Sequence, residues 1–240
     1  MTNVRFWQVA ALVTTIIAAI FIGWYLTNPP EKPGKLIDDP ALDWDNITLV
    51  VIADNSKSAE ELYKYLAAWI IRLFSQYEAD ANLVFCRMAV KTVPFVTRKG
   101  LPTPEELKSG GLKDLLALEQ VPGTRPLTAI EFGLNYARQN SSRPIAIVIF
   151  TDGENDYPGN KPRLEQACKE LASSPNILRI GLFGLDPLDP DKVADWNRYF
   201  SNCSKVLICT RYLGSTEQGL NQFCELVEKD RRNSGEPKGR

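Results

Sequence analysis

The stretch Ile47–Ala53, ITLVVIA, decides the fold, and Asp54-Asn55-Ser56-Lys57-Ser58 follows it directly. It is an apolar, β-branched run that lacks the alternation of a strand with one wet face. A second run of the same kind is Pro144–Phe150, PIAIVIF. Because strands that are apolar throughout are buried on both faces, the two runs predict the centre of a sheet covered by helices on each side.

Further strand and helix patterns alternate along the rest of the chain. Strands are predicted at 82–90, 92–97, 177–184 and 205–209, and helices at 62–73, 104–118, 128–138, 163–172, 192–200 and 217–229. This order favours an α/β fold, a doubly wound and mostly parallel sheet with helices on both faces. The strand at 92–97 follows its predecessor too closely for a crossover, and we expect it to be the one antiparallel edge strand.

Charge and the absence of histidine exclude several classes of function. The 240 residues include 28 Lys+Arg, 29 Asp+Glu and no histidine, which gives a net charge of −1. That balance offers no electrostatic basis for binding nucleic acid. Without histidine there is no Ser-His-Asp or Cys-His catalytic unit and no H-E-x-x-H zinc site. A bound metal would need oxygen or thiolate ligands, and oxygen ligands favour Mg²⁺, Ca²⁺ or Mn²⁺.

The five cysteines form no C-x-x-C pair, which argues against a zinc ribbon or a thioredoxin-like motif. Because five is odd, they cannot all pair within one chain. They are predicted to be buried, small apolar side chains. A single disulfide remains an alternative if the domain faces an oxidising compartment.

An uncharged run at 6–26 follows a short N-terminal tail, residues 1–5. Its 21 residues suffice to cross a hydrocarbon core of ~30 Å as a helix, and Trp7, Trp24 and Tyr25 lie at its ends as interfacial residues do. The alternative is a cleaved signal peptide, but the run exceeds the usual apolar length and no small-x-small cleavage site follows. We therefore predict one retained transmembrane helix.

The chain after the predicted membrane helix divides into three parts. Residues 27–45 form a linker with four prolines, residues 46–230 form the globular domain, and residues 231–240 form a polar, flexible tail. The basic residues flanking the span are Arg5 before it and Lys32 and Lys35 after it. We expect the short tail to stay inside and the domain to lie on the extracytoplasmic side.

Oxygen-bearing side chains follow the two central strands. Asp54, Ser56 and Ser58 come after the first strand, and Asp152 comes after the second. Thr124 opens the loop before the helix that contains the pair Ala129-Ile130. Because binding sites of such sheets lie at the carboxyl ends of the strands, these segments should meet at one edge. Two carboxylates and three hydroxyls suit an octahedral hard cation.

These segments, D-x-S-x-S, G-T-x4-A-I and an apolar strand followed by T-D-G, resemble the von Willebrand factor type A domain family over residues 46–230. The resemblance implies a metal-ion-dependent adhesion site. Ser56, Ser58 and Thr124 would contact the metal through their hydroxyls, and Asp54 and Asp152 would hold it through ordered waters. The run TDGEND also resembles bacterial membrane-anchored members of the family, the aerotolerance-type proteins.

Thr128 is an alternative to Thr124 as the threonine ligand. Family members place the Ala-Ile or Ala-Leu pair five and six residues beyond the ligand, which fits Thr124. We therefore interpret Thr128 as the N-cap of the following helix.

The function that the resemblance implies is binding, not catalysis. An Mg²⁺ or Mn²⁺ ion would accept an Asp or Glu of a partner protein. One alternative is an Mg²⁺-dependent hydrolase or phosphotransferase of Rossmann-like fold, but the residue two places after Asp54 is Ser56, where such an enzyme needs a second carboxylate. The other alternative is a scaffold with a vestigial metal site.

Two acidic residues, Glu154 and Asp156, follow Asp152 closely. They could line the rim of the site, adjust its charge or repel wrong partners. The alternative is that both are ordinary solvated loop residues.

Overall fold

The computed structural model describes residues 47–56, 59, 62, 82–99, 123–211 and 213–233. The elements in that part of the chain are β1 (Thr48–Asp54), β2 (Asn82–Met88), β3 (Thr92–Lys99), α1 (Pro126–Gln139), β4 (Ile145–Phe150), a short 3₁₀ helix (Pro158–Asn160), α2 (Lys161–Ser173), β5 (Ile177–Leu185), α3 (Pro190–Tyr199), β6 (Val206–Thr210) and α4 (Leu213–Asn233).

The six strands form one sheet in the order β3-β2-β1-β4-β5-β6. All neighbours are parallel except β2 and β3, which are antiparallel. The prediction of a mostly parallel sheet with one antiparallel edge strand is therefore confirmed. β1 lies at the centre, between β2 and β4, and its pairing aligns Ala53 with Phe150. The ends of β1 and β4 consequently lie side by side.

Both faces of the sheet are covered. All residues of β1 and β4 are buried, as their apolar sequences predict. Alternate residues of β1 point to opposite faces, because side chains of a strand alternate. Leu49 and Val51 join a core that includes Phe223 of α4, whereas Val50 and Ile52 join a core that includes α1, α2 and α3.

α4 runs antiparallel to the strands on which it packs. Near its start, the Thr216 hydroxyl donates to the carbonyl of Thr210 at the end of β6 (2.8 Å). Near its end, Asp230 forms an ion pair with Arg179, at the start of β5. The carboxyl end of α4 therefore lies at the edge of the sheet where the parallel strands begin.

The observed α4 extends beyond the predicted helix at 217–229, because it continues to Asn233. Arg231 and Arg232 both bind the carboxylate of Glu228, one turn earlier, at 2.9 and 2.8 Å. These pairs at i,i+3 and i,i+4 spacing stabilise the last turn. The basic residues that suggested a solvated tail thus belong, in part, to the helix.

α1 also begins earlier than its predicted start at Thr128. It starts at Pro126, the residue type that suits a first helical position, with Arg125 at the N-cap position. The interpretation of Thr128 as the N-cap was wrong. Its hydroxyl instead donates to the Arg125 carbonyl and lies 2.9 Å from the Thr92 hydroxyl.

The five cysteines are all free, so the alternative of a disulfide is not realised. Cys86, Cys168 and Cys224 are buried, as predicted, whereas Cys203 and Cys209 are partly exposed. Burial raises the pKa of the Cys86 thiol to about 12 and that of Cys209 to about 11, which keeps both protonated at neutral pH.

Several predicted segments lie outside the described residues. They are the membrane span at 6–26 with the tail before it, the linker at 27–45, most of the helix at 62–73, the helix at 104–118 and residues 234–240. Among the helices that the structure does describe, none combines the length and apolar character needed to cross a membrane.

Candidate metal site at the carboxyl edge of the sheet

Asp54 lies at the end of the central strand and is fixed by two hydrogen bonds. Its side chain is buried, with the residue only 1% exposed. Oδ1 accepts from the backbone N–H of Ser56 (3.0 Å), and Oδ2 accepts from the hydroxyl of Thr151 (2.7 Å). Thr151 follows β4, so this second bond joins the loops of the two central strands. The position and direction of the carboxylate are therefore set by the fold.

The charge of Asp54 is poorly compensated by its surroundings. The pKa of this carboxyl is raised to about 7, first by burial and then by the nearby charge of Asp152, against the hydrogen bonds from Ser56 and Thr151, which lower it. Two carboxylates that disfavour each other's ionised form attract a cation, which would favour ionisation of both. The electrostatics of this edge therefore suit a positively charged ligand.

Asp152 lies on the tight turn after β4. Its Oδ1 accepts from the N–H of Glu154 (2.9 Å), and the Thr151 hydroxyl accepts from the N–H of Gly153 (3.0 Å). Gly153 has a φ of +79°, and a Cβ there would lie 2.6 Å from Leu185. Only glycine satisfies both the left-handed backbone and the close contact, so the shape of the turn requires the glycine of the T-D-G sequence.

Thr124 is fully buried, and its hydroxyl has no hydrogen-bond partner in the described part of the chain. Its backbone is held on both sides by Asp156. The N–H of Thr124 donates to Asp156 Oδ2 (2.5 Å), and the N–H of Asp156 donates to the Thr124 carbonyl (3.1 Å). Thr124 is thus attached to the same loop that carries Asp152. An unpaired buried hydroxyl is uncommon and calls for a ligand.

The two candidate threonines differ in the state of their hydroxyls. The hydroxyl of Thr128 already has partners in Arg125 and Thr92, whereas that of Thr124 has none among the described residues. A metal ligand needs a free lone pair and a fixed position. This contrast favours Thr124 over Thr128, in agreement with the spacing argument.

The other predicted site residues are placed as follows. Ser56 is buried two residues after Asp54, and its side chain contributes a hydrogen bond that lowers the pKa of Asp54. Ser58 lies outside the described residues. Glu154 is partly exposed and forms an ion pair with Lys192 (2.6 Å). Asp156 is exposed, and its carboxylate is occupied by the N–H of Thr124.

Sequence reasoning missed the role of Lys192. Its side chain is only 15% exposed and pairs with Glu154 and, at 3.5 Å, with Asp189. Burial would lower the pKa of this amine, but Glu154, Asp152 and Asp189 together raise it above its ordinary value. The positively charged amine of Lys192, which interacts with the charge of Asp152, therefore borders the candidate site. The acidic residues that precede α3, Asp186 and Asp189, were the available signal in the sequence. The sequence did not indicate which lysine they approach.

The oxygen ligands available at this edge suit a hard cation that is bound by hydroxyls as well as by carboxylates. Within the described residues, no three His, Cys, Asp or Glu side chains cluster closely enough to hold a metal by themselves. A cation at this edge would therefore also need the hydroxyls of Ser56 and Thr124. Oxygen ligands of this kind are those that Mg²⁺ and Mn²⁺ prefer.

Sequence comparisons do not place the chain in a family. No protein-family model matches it, and no curated protein matches it in sequence.

Comparison with solved structures shows the fold. An aerotolerance-related membrane protein from Bacteroides fragilis aligns with a TM-score of 0.54 and 16% identity, over 75% of this chain and 98% of that one. A von Willebrand factor type A protein from Catenulispora acidiphila aligns with a TM-score of 0.53 and 14% identity, over 77% of this chain and 42% of that one. Proximal thread matrix protein 1 of the mussel byssus, with a zinc-occupied MIDAS motif, aligns with a TM-score of 0.52 and 12% identity, over 76% of this chain and 46% of that one. The chain therefore has the fold of von Willebrand factor type A domains.

Proposed function

We propose that this chain binds a partner protein through a divalent cation, Mg²⁺ or Mn²⁺, held by Asp54, Ser56, Ser58, Thr124 and Asp152. One observation carries the proposal, the fully buried Thr124 hydroxyl without a hydrogen-bond partner among the described residues. Leaving such a group unsatisfied costs about 1–3 kcal/mol, so its burial makes physical sense if a ligand takes the oxygen.

The five residues would contribute to cation binding in two ways, as neutral oxygen ligands and as negative charges. Ser56, Ser58 and Thr124 would supply neutral oxygens, and Asp54 and Asp152 would supply the negative charge, which the hydrogen bonds from Thr151 and the turn at Gly153 keep in place. A bound cation would offer an open position to an Asp or Glu of the partner, because it keeps much of its positive charge when the two carboxylates hold it only through ordered waters.

Binding fits these residues better than catalysis. The chain has no histidine, and Ser56 stands two residues after Asp54, where a hydrolase would need a second acid. Glu154 does stand two residues after Asp152, but its carboxylate is paired with Lys192. Oxygen ligands of this kind suit recognition of an acidic group through a cation and provide no proton carrier for an acid–base step. Adhesion, assembly of a protein complex and regulation of another protein would all use such binding. The zinc-occupied MIDAS motif of the mussel matrix protein, a structural neighbour, supports a bound divalent cation.

We also propose that residues 6–26 anchor the chain in a membrane, with the domain on the extracytoplasmic side. The uncharged sequence of this run supports the anchor, as does the fold shared with an aerotolerance-related membrane protein. Protease added to intact spheroplasts should degrade the domain. Protection of the domain until the membrane is broken would contradict this orientation.

The test of the metal site is the effect of cations on thermal unfolding of the intact chain. A cation that binds only the folded state at a hundredfold excess over Kd adds about 2.7 kcal/mol to the free energy of unfolding. We expect Mg²⁺ and Mn²⁺ to raise Tm and a chelator to reverse the effect. An identical Tm in all three conditions would favour the scaffold with a vestigial site.

A further inference from the structure

Arg125, the residue after the proposed ligand Thr124, has no acidic partner in the described part of the chain. Within the described residues, no carboxylate lies within ion-pair distance of its guanidinium, and its Nε is buried without a hydrogen-bond acceptor. Other arginines of this domain are paired with acids: Arg138 with Glu170, Arg179 with Asp230, Arg198 with Asp195 and Arg211 with Asp186. As far as the described residues show, Arg125 therefore differs from these four arginines in having no carboxylate beside its charge.

The backbone and the ring of Tyr157 hold Arg125 in place. Its N–H donates to the carbonyl of Ala89 (2.9 Å), and its own carbonyl accepts from both the N–H and the hydroxyl of Thr128. The guanidinium carbon lies 5.6 Å from the centre of the Tyr157 ring, in a cation–π contact. Such contacts orient a guanidinium without neutralising it. The charge is thus fixed beside the proposed metal site.

Tyr157 is one of the exposed large apolar side chains of the described residues, at 36%. It follows Asp156, the residue that holds Thr124 on both sides. The cation and the exposed ring therefore belong to the same edge as the proposed ligands. A guanidinium over a ring can bind a carboxylate in two parallel hydrogen bonds, while the ring contacts the apolar stem of the acidic side chain.

We propose that Arg125 and Tyr157 form a second contact for the partner, which presents two acidic groups to this edge. One carboxylate completes the cation site at Asp54, Thr124 and Asp152, and the other pairs with Arg125. The inference rests on the proposed function, since the first contact is the metal-dependent one. It narrows the partner from any protein with an accessible acid to a segment with two acids close together.

The experiment uses small carboxylates as probes on the intact chain loaded with Mn²⁺. Acetate reports the first contact alone, and succinate, glutarate and adipate offer a second carboxylate at increasing separation. Line broadening of the probe's proton NMR signals by Mn²⁺ gives the Kd of each. We expect at least one dicarboxylate to bind about 3- to 10-fold more tightly than acetate, beyond the twofold statistical factor of two equivalent carboxylates.

Three variants assign the effect. Arg125→Gln should remove the advantage of the dicarboxylate and leave the Kd of acetate unchanged. Tyr157→Ala, at an exposed position, should reduce the preference for the dicarboxylate over acetate. It tests the same contact if Arg125→Gln is poorly folded. Arg138→Gln, which removes an arginine paired with Glu170, should behave as wild type.

The outcomes separate the two proposals. If Mn²⁺ and acetate bind but no dicarboxylate exceeds twice the affinity of acetate, the second contact is wrong and the metal-dependent function stands. An advantage that persists in both Arg125→Gln and Tyr157→Ala also overturns the second contact. If Mn²⁺ itself does not bind, the proposed function and this inference fall together.

Discussion

Asp156 holds Thr124 from both sides, because its carboxylate accepts the Thr124 N–H and its own N–H donates to the Thr124 carbonyl. An exposed acid thus sets the position of a fully buried hydroxyl. The sequence suggested a rim residue or a solvated acid. The structure shows a positioning contact that connects the loop before α1 with the loop after β4.

Asp156→Ala should weaken Mn²⁺ binding about tenfold without unfolding the protein. Residues that orient a metal ligand typically contribute this much to affinity. Asp156→Asn keeps an oxygen that can accept the Thr124 N–H, and it should bind Mn²⁺ nearly as wild type does. Isothermal titration of the two variants measures the difference. Equal Kd values for Asp156→Ala and wild type would show that the contact does not position the ligand.

Thr124→Val and Thr128→Val should have opposite effects. Thr124→Val removes a hydroxyl without a partner among the described residues, so we expect unchanged or slightly higher stability in chelator and loss of the metal-induced rise in Tm. Thr128→Val removes a hydroxyl that is bonded to Arg125, and we expect a loss of about 1 kcal/mol with metal affinity retained. Thermal unfolding with and without Mg²⁺ distinguishes them. If metal stabilises Thr124→Val and not Thr128→Val, the assignment of the ligand is reversed.

Asp54→Asn should change the sign of its effect on stability when metal is added. Asp54 is buried beside the like charge of Asp152, so the neutral amide should unfold at the same or a higher temperature than wild type in chelator at pH 8. With Mg²⁺ in excess, only wild type should gain stability, and the order should reverse. Glu165→Gln, at a partly exposed residue paired with Lys169, is the matched control. An unchanged order of Tm values in the two conditions would argue against a cation at Asp54.

Glu228→Gln should reduce stability at neutral pH but not in acid. Burial would raise the pKa of Glu228, but its bonds to Arg231 and Arg232 lower it below the ordinary value of 4.5. A lowered pKa in the folded state gives stability that is present above pH 4.5 and is lost as pH falls through the folded-state pKa. We expect a difference of about 1 kcal/mol between the variant and wild type at pH 7 that vanishes at lower pH. Urea unfolding at a series of pH values measures it, and a difference that persists in acid would point to lost packing instead.

The sequence predicted the sheet well because its signals are local. The continuous apolar runs at 47–53 and 144–150 correspond to two central strands, and side chains after strand ends necessarily meet at one edge. The positions of Asp54 and Asp152 follow from that rule, whereas Thr124 is attached to the same edge through its hydrogen bonds with Asp156. The start of α1 differs from the predicted one because Pro126 suits the first helical position and begins the helix two residues before Thr128.

Contacts between loops could not be predicted in the same way. The pairing of Lys192 with Glu154 joins residues far apart in sequence, and the contact of Arg125 with Tyr157 depends on how two loops pack. A single sequence shows charges and rings but not which of them approach one another. These contacts distinguish the edge of this domain from that of any other sheet with the same strand order.

The direction of α4 has a practical consequence for how the domain can be attached. Residue 47 enters the sheet where β1 begins, and the pairing of Asp230 with Arg179 brings the end of α4 to that same side. The candidate site lies at the opposite edge, after the strands end. A tether, tag or surface linkage placed at either terminus of the domain therefore leaves the site pointing outward, free to meet a second surface.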